Sequence, residues 1–368
     1  MTSVPLVDFA PALRLALLVL LIAALPLGYL WWRGRRATAA QRLALLTAIT
    51  LFLTFDLVVF GAFTRLSDSG LGCPDWPGCY GQATPLGAIG DIRLAEQLHP
   101  TGPVSLPKAW IEMIHRYLAM MVGLLILVTA GWSWWQRRRL PFSPWLPTLT
   151  LVWVVIQGLF GKYTVTLKLY PAVVTLHLLG GMLLLALLAA QHEAYVQRPL
   201  SLTRHTRRVV LVALLALTVQ IALGGWVSTN YAVLACREFP LCNGQWWPEM
   251  DFARGFTVLR ELGRSSEGGA LPMAALVAIH MVHRWFAVLV VLALGWLVQC
   301  LWREPGNSPR RFAWVLLALL AAQMLSGLSN VVLGWPLFAA LAHSAGAAAM
   351  VLALVMLWAR GRLGARAT

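Results

Sequence analysis

The stretch AWIEMIHRYLAMMVGLLILVTAGWSWW, residues 109–135, decides how this chain must be read. It is longer than the roughly 20 residues an α-helix needs to cross a bilayer. Its only acidic, basic or histidine side chains, Glu112, His115 and Arg116, sit together near one end. A soluble helix of this length would carry a polar stripe, and this one has none. Apolar runs of the same kind recur at 12–32, 43–63, 146–166, 171–191, 209–229, 273–302, 312–332 and 336–358. The composition agrees, at 59% hydrophobic and 12% charged, where soluble domains carry about 25% charge. The expected fold class is an all-α polytopic membrane protein.

The formal charge of +15 would suit a nucleic-acid partner if the basic residues formed one patch. They instead form short clusters between apolar runs, which excludes that class and follows the positive-inside pattern. Arg33, Arg35, Arg36 and Arg42, then Arg137, Arg138 and Arg139, fall on one side with the basic residues of 192–208, 303–311 and the tail. That side counts seventeen and the other nine. The long loops 64–108 and 230–272 are therefore expected outside, with most of the acidic residues. Residues 12–32 form an extra first span. A signal peptide is disfavoured there because the basic cluster follows the apolar run and no small-residue cleavage site is present. The loops hold Cys73, Cys79, Cys236 and Cys242, and an oxidising outer compartment favours two disulfides over free thiols or a metal site. Cys300 reads as an apolar filler. The segment 254–272 is expected to be mobile, with no chemistry of its own.

The two long loops invite a comparison of halves. Cys73 and Cys79 match Cys236 and Cys242 at a shift of 163. Glu112-x-x-His115-Arg116 matches His280-x-x-His283-Arg284 at 168, and Gln157, Gly161 and His177 match Gln323, Gly327 and His343 at 166. The chain is thus expected to hold two pseudo-symmetric four-helix bundles in tandem, 43–191 and 209–358, preceded by an extra helix and loop in 1–42. Both units begin and end inside, so this is a parallel repeat.

Ionisable groups within a bilayer mark function by default. Each unit places one histidine on its second helix and one on its fourth, His115 with His177 and His283 with His343, at similar depth in the outer half of the membrane. Paired imidazoles across a helical bundle suit axial ligation of haem iron. Arg116 and Arg284 follow the second-helix histidines and would reach haem propionates, with Arg65 a weaker candidate for the same task. Glu112 breaks the symmetry, since its counterpart is His280. It is read either as a functional acid or as a residue solvated or paired with Lys108. His280 is left as a supporting residue, an alternative ligand or a solvated group at the helix mouth. Asp56 is read as a second buried acid.

The segment Phe60-Gly61-Ala62-Phe63-Thr64-Arg65-Leu66, followed by Ser69-Gly70-Leu71-Gly72-Cys73-Pro74-Asp75-Trp76-Pro77-Gly78-Cys79, resembles the first outer loop of the haem A synthase family. Glu112-x-x-His115-Arg116, the Gln157-Gly158…His177 pair and the later His283-Arg284 and His343 complete the likeness over 43–358. The resemblance implies an oxidoreductase that converts a methyl group of haem O to a formyl by two hydroxylations and loss of water, giving haem A for cytochrome oxidase. It implies a haem b cofactor on His283 and His343, with the substrate at His115 and His177 and Glu112 as the acid beside it. The implied setting is a bacterial inner membrane with the cysteine loops in the periplasm. The implied partners are haem O delivered by haem O synthase, an electron donor and lipid, and a homo-oligomer is compatible. A di-haem b-type electron-transfer cytochrome, or a haem-binding or transport protein, is the rival reading. Neither rival explains why Glu112 occurs in one half alone.

Overall fold

The computed structural model describes residues 10–140, 142–266 and 268–367, with the side chains of 366 and 367 excepted. The start of the expected 1–42 segment and the side chain of Arg366 in the basic tail lie outside the described residues. The described chain is all-helical, and nine of its helices are long and apolar enough to span a membrane. In chain order the helices are α1 Ala10–Gly34, α2 Ala39–Leu66, α3 Ile89–Leu98, α4 Leu106–Trp135, α5 Trp145–Thr166, α6 Pro171–Val196, α7 Arg204–Thr229, α8 Phe252–Gly255, α9 Met273–Arg303, α10 Asn307–Val332 and α11 Leu337–Ala367. Every expected span lies on one of them to within a residue. The additions are α3 and α8 in the two long loops, and α11 runs well past the expected end at 358.

Helix ends follow local chemistry. Thr38 and Gln41 form a reciprocal capping box at α2, satisfying donors a first turn leaves free. Pro107 and Pro171 occupy the first turns of α4 and α6, where a missing N–H costs nothing. At α7, the Thr203 hydroxyl accepts from the Thr206 N–H at 3.2 Å, and Glu304 holds this cap from a distance. Its carboxylate accepts from the Thr203 N–H at 3.0 Å and from the hydroxyls of Thr203 and Thr206 at 2.6 and 2.5 Å. The end of α9 is thereby tied to the start of α7.

Packing follows the repeat. Helix α2 packs on α4 and α6, and α5 on α4 and α6; equivalently, α7 packs on α9 and α11, and α10 on α9 and α11. The two sets meet through α2, α6, α7 and α11, while α1 lies against α2 and α4. The largest core joins Leu185 and Ala189 of α6 to Val210, Ala213, Leu294, Leu297, Leu301, Leu354 and Leu357. Lipid tails are as apolar as leucine, so these contacts hold by shape and by polar links. Two such links bind the sets at opposite faces. On the face carrying the long loops, Arg65 donates to the Ser228 carbonyl and the Tyr231 hydroxyl, each at 2.8 Å, and Tyr231 donates to Asp68 at 2.6 Å. At the far end, Arg360 of α11 pairs with both oxygens of fully buried Glu193 of α6, at 2.9 and 2.8 Å.

Candidate functional site

The two cysteine loops fold alike. Cys73–Cys79 and Cys236–Cys242 are both disulfides, as expected. Asp75 accepts N–H bonds from Tyr80 and Gly81 at 2.6 and 2.7 Å, and Glu238, 163 positions later, accepts from Gly244. Gly81 and Gly244 both have positive φ, +71° and +78°, a conformation that favours glycine. An arginine holds each loop from below. Arg116 donates to the carbonyls of Asp75 at 2.7 Å and Gly78 at 2.5 Å; Arg284 donates to those of Leu241 at 3.1 Å and Cys236 at 3.2 Å.

What stands one turn before each arginine differs between the halves. Glu112, buried at 4% exposure, takes Arg116 at 2.5 Å on one carboxylate oxygen and the Cys73 N–H at 2.8 Å on the other. Its partner is Arg116, not Lys108. The counterpart His280 is equally buried and accepts from Arg284 Nε at 3.2 Å, so it is not a solvated residue at the helix mouth. One arginine pairs with a carboxylate that also takes a loop N–H, and the other with an imidazole.

Beneath the loops, each of the four repeat-related histidines is half-buried and faces a glycine of a neighbouring helix. A Cβ on Gly61 would lie 3.0 Å from Nε2 of His115, and one on Gly224 3.0 Å from Cε1 of His283. A Cβ on Gly327 would lie 3.2 Å from Cε1 of His343, and one on Gly161 3.6 Å from Cε1 of His177. Removal of a side chain makes room for the imidazole, a close-approach use of small residues common between membrane helices. His115 and His177 lie within coulombic range of each other, as do His283 and His343. Each expected pair thus stands within one helix set, on α4 and α6 in the first and on α9 and α11 in the second.

Their surroundings differ. Gln220 places its amide nitrogen 3.2 Å from His283 Nδ1, and Ser326 places its hydroxyl 3.1 Å from His343 Nδ1. His115 stacks on Phe60, with ring centroids 6.4 Å apart, while His177 Nδ1 is buried without a partner. The amide of Gln157 also has no partner, nor does the carbonyl oxygen of Gln323. Unsatisfied polar atoms beside the glycine-seated imidazoles are groups that a ligand with a metal centre would engage.

The remaining candidates are placed as follows. Arg65 spans the two helix sets. Asp56 is not the buried acid expected: it is exposed on α2, because five residues from Gly61 turn it to the other side of the helix. Arg260, from the loop segment expected to be mobile and without chemistry, is buried at 3% exposure, donates to Asn230 at 2.6 Å and lies over the Trp226 ring. Sequence reading also missed Gly224, Gln220 and Ser326, and gave Gly61 no place beside His115. The two glycines match at the loop shift of 163, so extending the repeat into α2 and α7 would have found them. Among the described residues no group of histidine, cysteine and carboxylate side chains is arranged to hold a lone metal ion.

Comparison with known proteins identifies the family. Residues 44–355 match the COX15-CtaA family of cytochrome oxidase assembly proteins. A protein of Shewanella oneidensis named "Heme A synthase" is 38% identical over 320 residues, covering 86% of this chain and 95% of its own. Proteins of the same name from Methylobacterium sp. (strain 4-46) and Shouchella clausii are 32% and 27% identical, covering 89% and 79% of this chain and 95% and 86% of theirs. With a match over most of its length and a relative 38% identical over 86% of it, the chain belongs to the COX15-CtaA family of cytochrome oxidase assembly proteins.

Proposed function

We infer that this chain is a haem A synthase, a membrane oxidoreductase that oxidises the methyl group of haem O to the formyl of haem A. Family membership and the shared name of its relatives support the activity. The observation that carries the finer reading is Glu112, one turn from His115, where the other half has His280. Unequal groups in otherwise equivalent places argue for unequal tasks. We place the substrate in the 43–191 unit at His115 and His177, and haem b in the 209–358 unit at His283 and His343, each unit being a four-helix bundle.

A bound haem supplies the iron-centred oxidation chemistry that no side chain here possesses. The chain's own residues bind and orient. The histidines, seated on glycines, would hold the haem. Arg116 and Arg284 close each pocket through the loops they hold, and propionate contacts by these two and by Arg65 would compete with the carbonyl, hydroxyl and carboxylate bonds they already make. Glu112 handles a proton when released from Arg116, the step that would join loop movement to chemistry. The charge asymmetry supports a bacterial inner membrane with the loops in the periplasm. Haem O synthase is the natural source of so apolar a substrate, and an electron donor is required.

The test is to purify the chain from cells that make haem O, extract the haems in acid and separate them. Haem b together with haem O or haem A supports the assignment. Haem b alone, at about two per chain and unchanged by Glu112→Ala, would mark an electron-transfer cytochrome instead. Replacing Glu112 by Gln should slow haem A formation by about 10²–10⁴-fold, the range for a lost acid–base group. A normal rate in that variant ends the proton-handling role.

A further inference from the structure

Ser326 stands on α10 one residue before Gly327. Its hydroxyl oxygen is 2.8 Å from the Ala322 carbonyl, 3.2 Å from the Gln323 carbonyl and 3.1 Å from Nδ1 of His343. Carbonyls only accept, so the single hydroxyl hydrogen is committed to the backbone and a lone pair faces the ring. Nδ1 must therefore be the protonated nitrogen, and Nε2 is left bare. A bare Nε2 with Nδ1–H held by an oxygen is the form in which imidazole ligates a metal. Gly327 lies against Cε1 and fixes the ring in that setting.

The other half lacks this device. At the repeat-related position stands Phe160, and His177 Nδ1 is buried with no partner. The second ligand of each pair differs in its contacts, though not by this device: the Gln220 amide nitrogen lies 3.2 Å from Nδ1, 3.4 Å from Nε2 and 3.2 Å from the carbonyl oxygen of His283, whereas its counterpart at the shift of 163 is Leu57. Both histidines of the C-terminal pair are held by polar side chains, and the matching positions of the N-terminal half are apolar.

We propose that Ser326 is a positioning residue that presets His343 as an Nε2 ligand and thereby makes the C-terminal pocket the one that retains its haem, while Phe160 leaves His177 unset in a pocket that must exchange. This rests on the four histidines being haem ligands. A held Nδ1–H also makes the imidazole a stronger donor, so Ser326 lowers the midpoint potential of the haem it serves.

The experiment follows haem transfer from the purified full-length holoprotein to apomyoglobin, alongside redox titration of the retained haem b. Ser326→Ala should release haem b about 10–100-fold faster, the usual cost of losing such a partner, and raise its midpoint potential. Ser326→Thr should restore both. Phe160→Ser should do the converse in the other half, slowing release of the haem held there. Release rate and potential both unchanged in Ser326→Ala, with haem release accelerated in His343→Ala, would overturn the proposal and leave the ligand assignment standing. Haem b retained normally in His343→Ala would overturn the ligand assignment itself.

Discussion

At the scale of single residues, the site is built by subtraction. Imidazoles fit between helices because glycine takes the facing position, and the distances rank the four seats. Alanine at Gly61 or Gly224 would put a methyl 3.0 Å from a ring atom, closer than packed atoms rest. Alanine at Gly161, at 3.6 Å, meets ordinary contact. We expect Gly61→Ala and Gly224→Ala to lower haem bound per chain, read from the Soret absorbance of purified protein, and Gly161→Ala to leave it near normal. Equal losses in all three would mean that the glycines serve helix packing and not the histidines. The histidines themselves were legible because ionisable groups are rare in bilayers and because they recur at a fixed shift. Asp56 was misread because apolar neighbours in sequence imply a span and say nothing of which side of the helix meets protein. Arg260 was missed because a loop rich in Arg, Glu, Gly and Ser has no periodicity to show which side chain turns inward.

At the scale of elements, the placement of the spans was legible, since a bilayer imposes length and apolarity together, while α6, α7, α10 and α11 run five or more residues beyond their expected bounds. The loops were not, because their order comes from bonds between distant segments. Each disulfide closes a ring worth about 2 kcal/mol on the chain-entropy model. Cys73→Ser with Cys79→Ser should therefore lower the melting temperature measurably in detergent, with a matching effect from the Cys236–Cys242 pair. The Glu304 anchor adds a pH dependence. Burial alone would raise its pKa, but the bonds from Thr203 and Thr206 outweigh it and hold the carboxyl below its ordinary value. A depressed folded pKa gives stability that is full above the ordinary Glu range and lost as pH falls through the folded value. Thermal stability should thus decline on acidification below the ordinary Glu range, and Glu304→Gln should remove that component of the decline. A pH profile identical in variant and parent would exclude the anchor.

At the scale of the whole molecule, the two helix sets are joined by polar links at opposite faces of a largely apolar seam. Breaking a buried ion pair by removing one partner costs about 3–5 kcal/mol, so Arg360→Ala, which strands Glu193, should destabilise strongly, and Glu193→Gln less. Arg65→Ala should cost less than Arg360→Ala, since Asp68 is exposed. The links lie at opposite ends of the spans, so the two losses should add in the double variant; thermal unfolding in detergent measures all of these. The contacts at Arg65 carry one more consequence. Arg65 touches Ser228 and Asp68 touches Tyr231, and each pair is separated by 163, the shift of the loop repeat. Matching positions can meet only on the line about which the units are turned. Two identical half-length chains associating there would bring arginine against arginine. Fusion into one polypeptide lets the two sides of that line diverge, so that a cation finds a carbonyl and a phenol where its own copy would have stood.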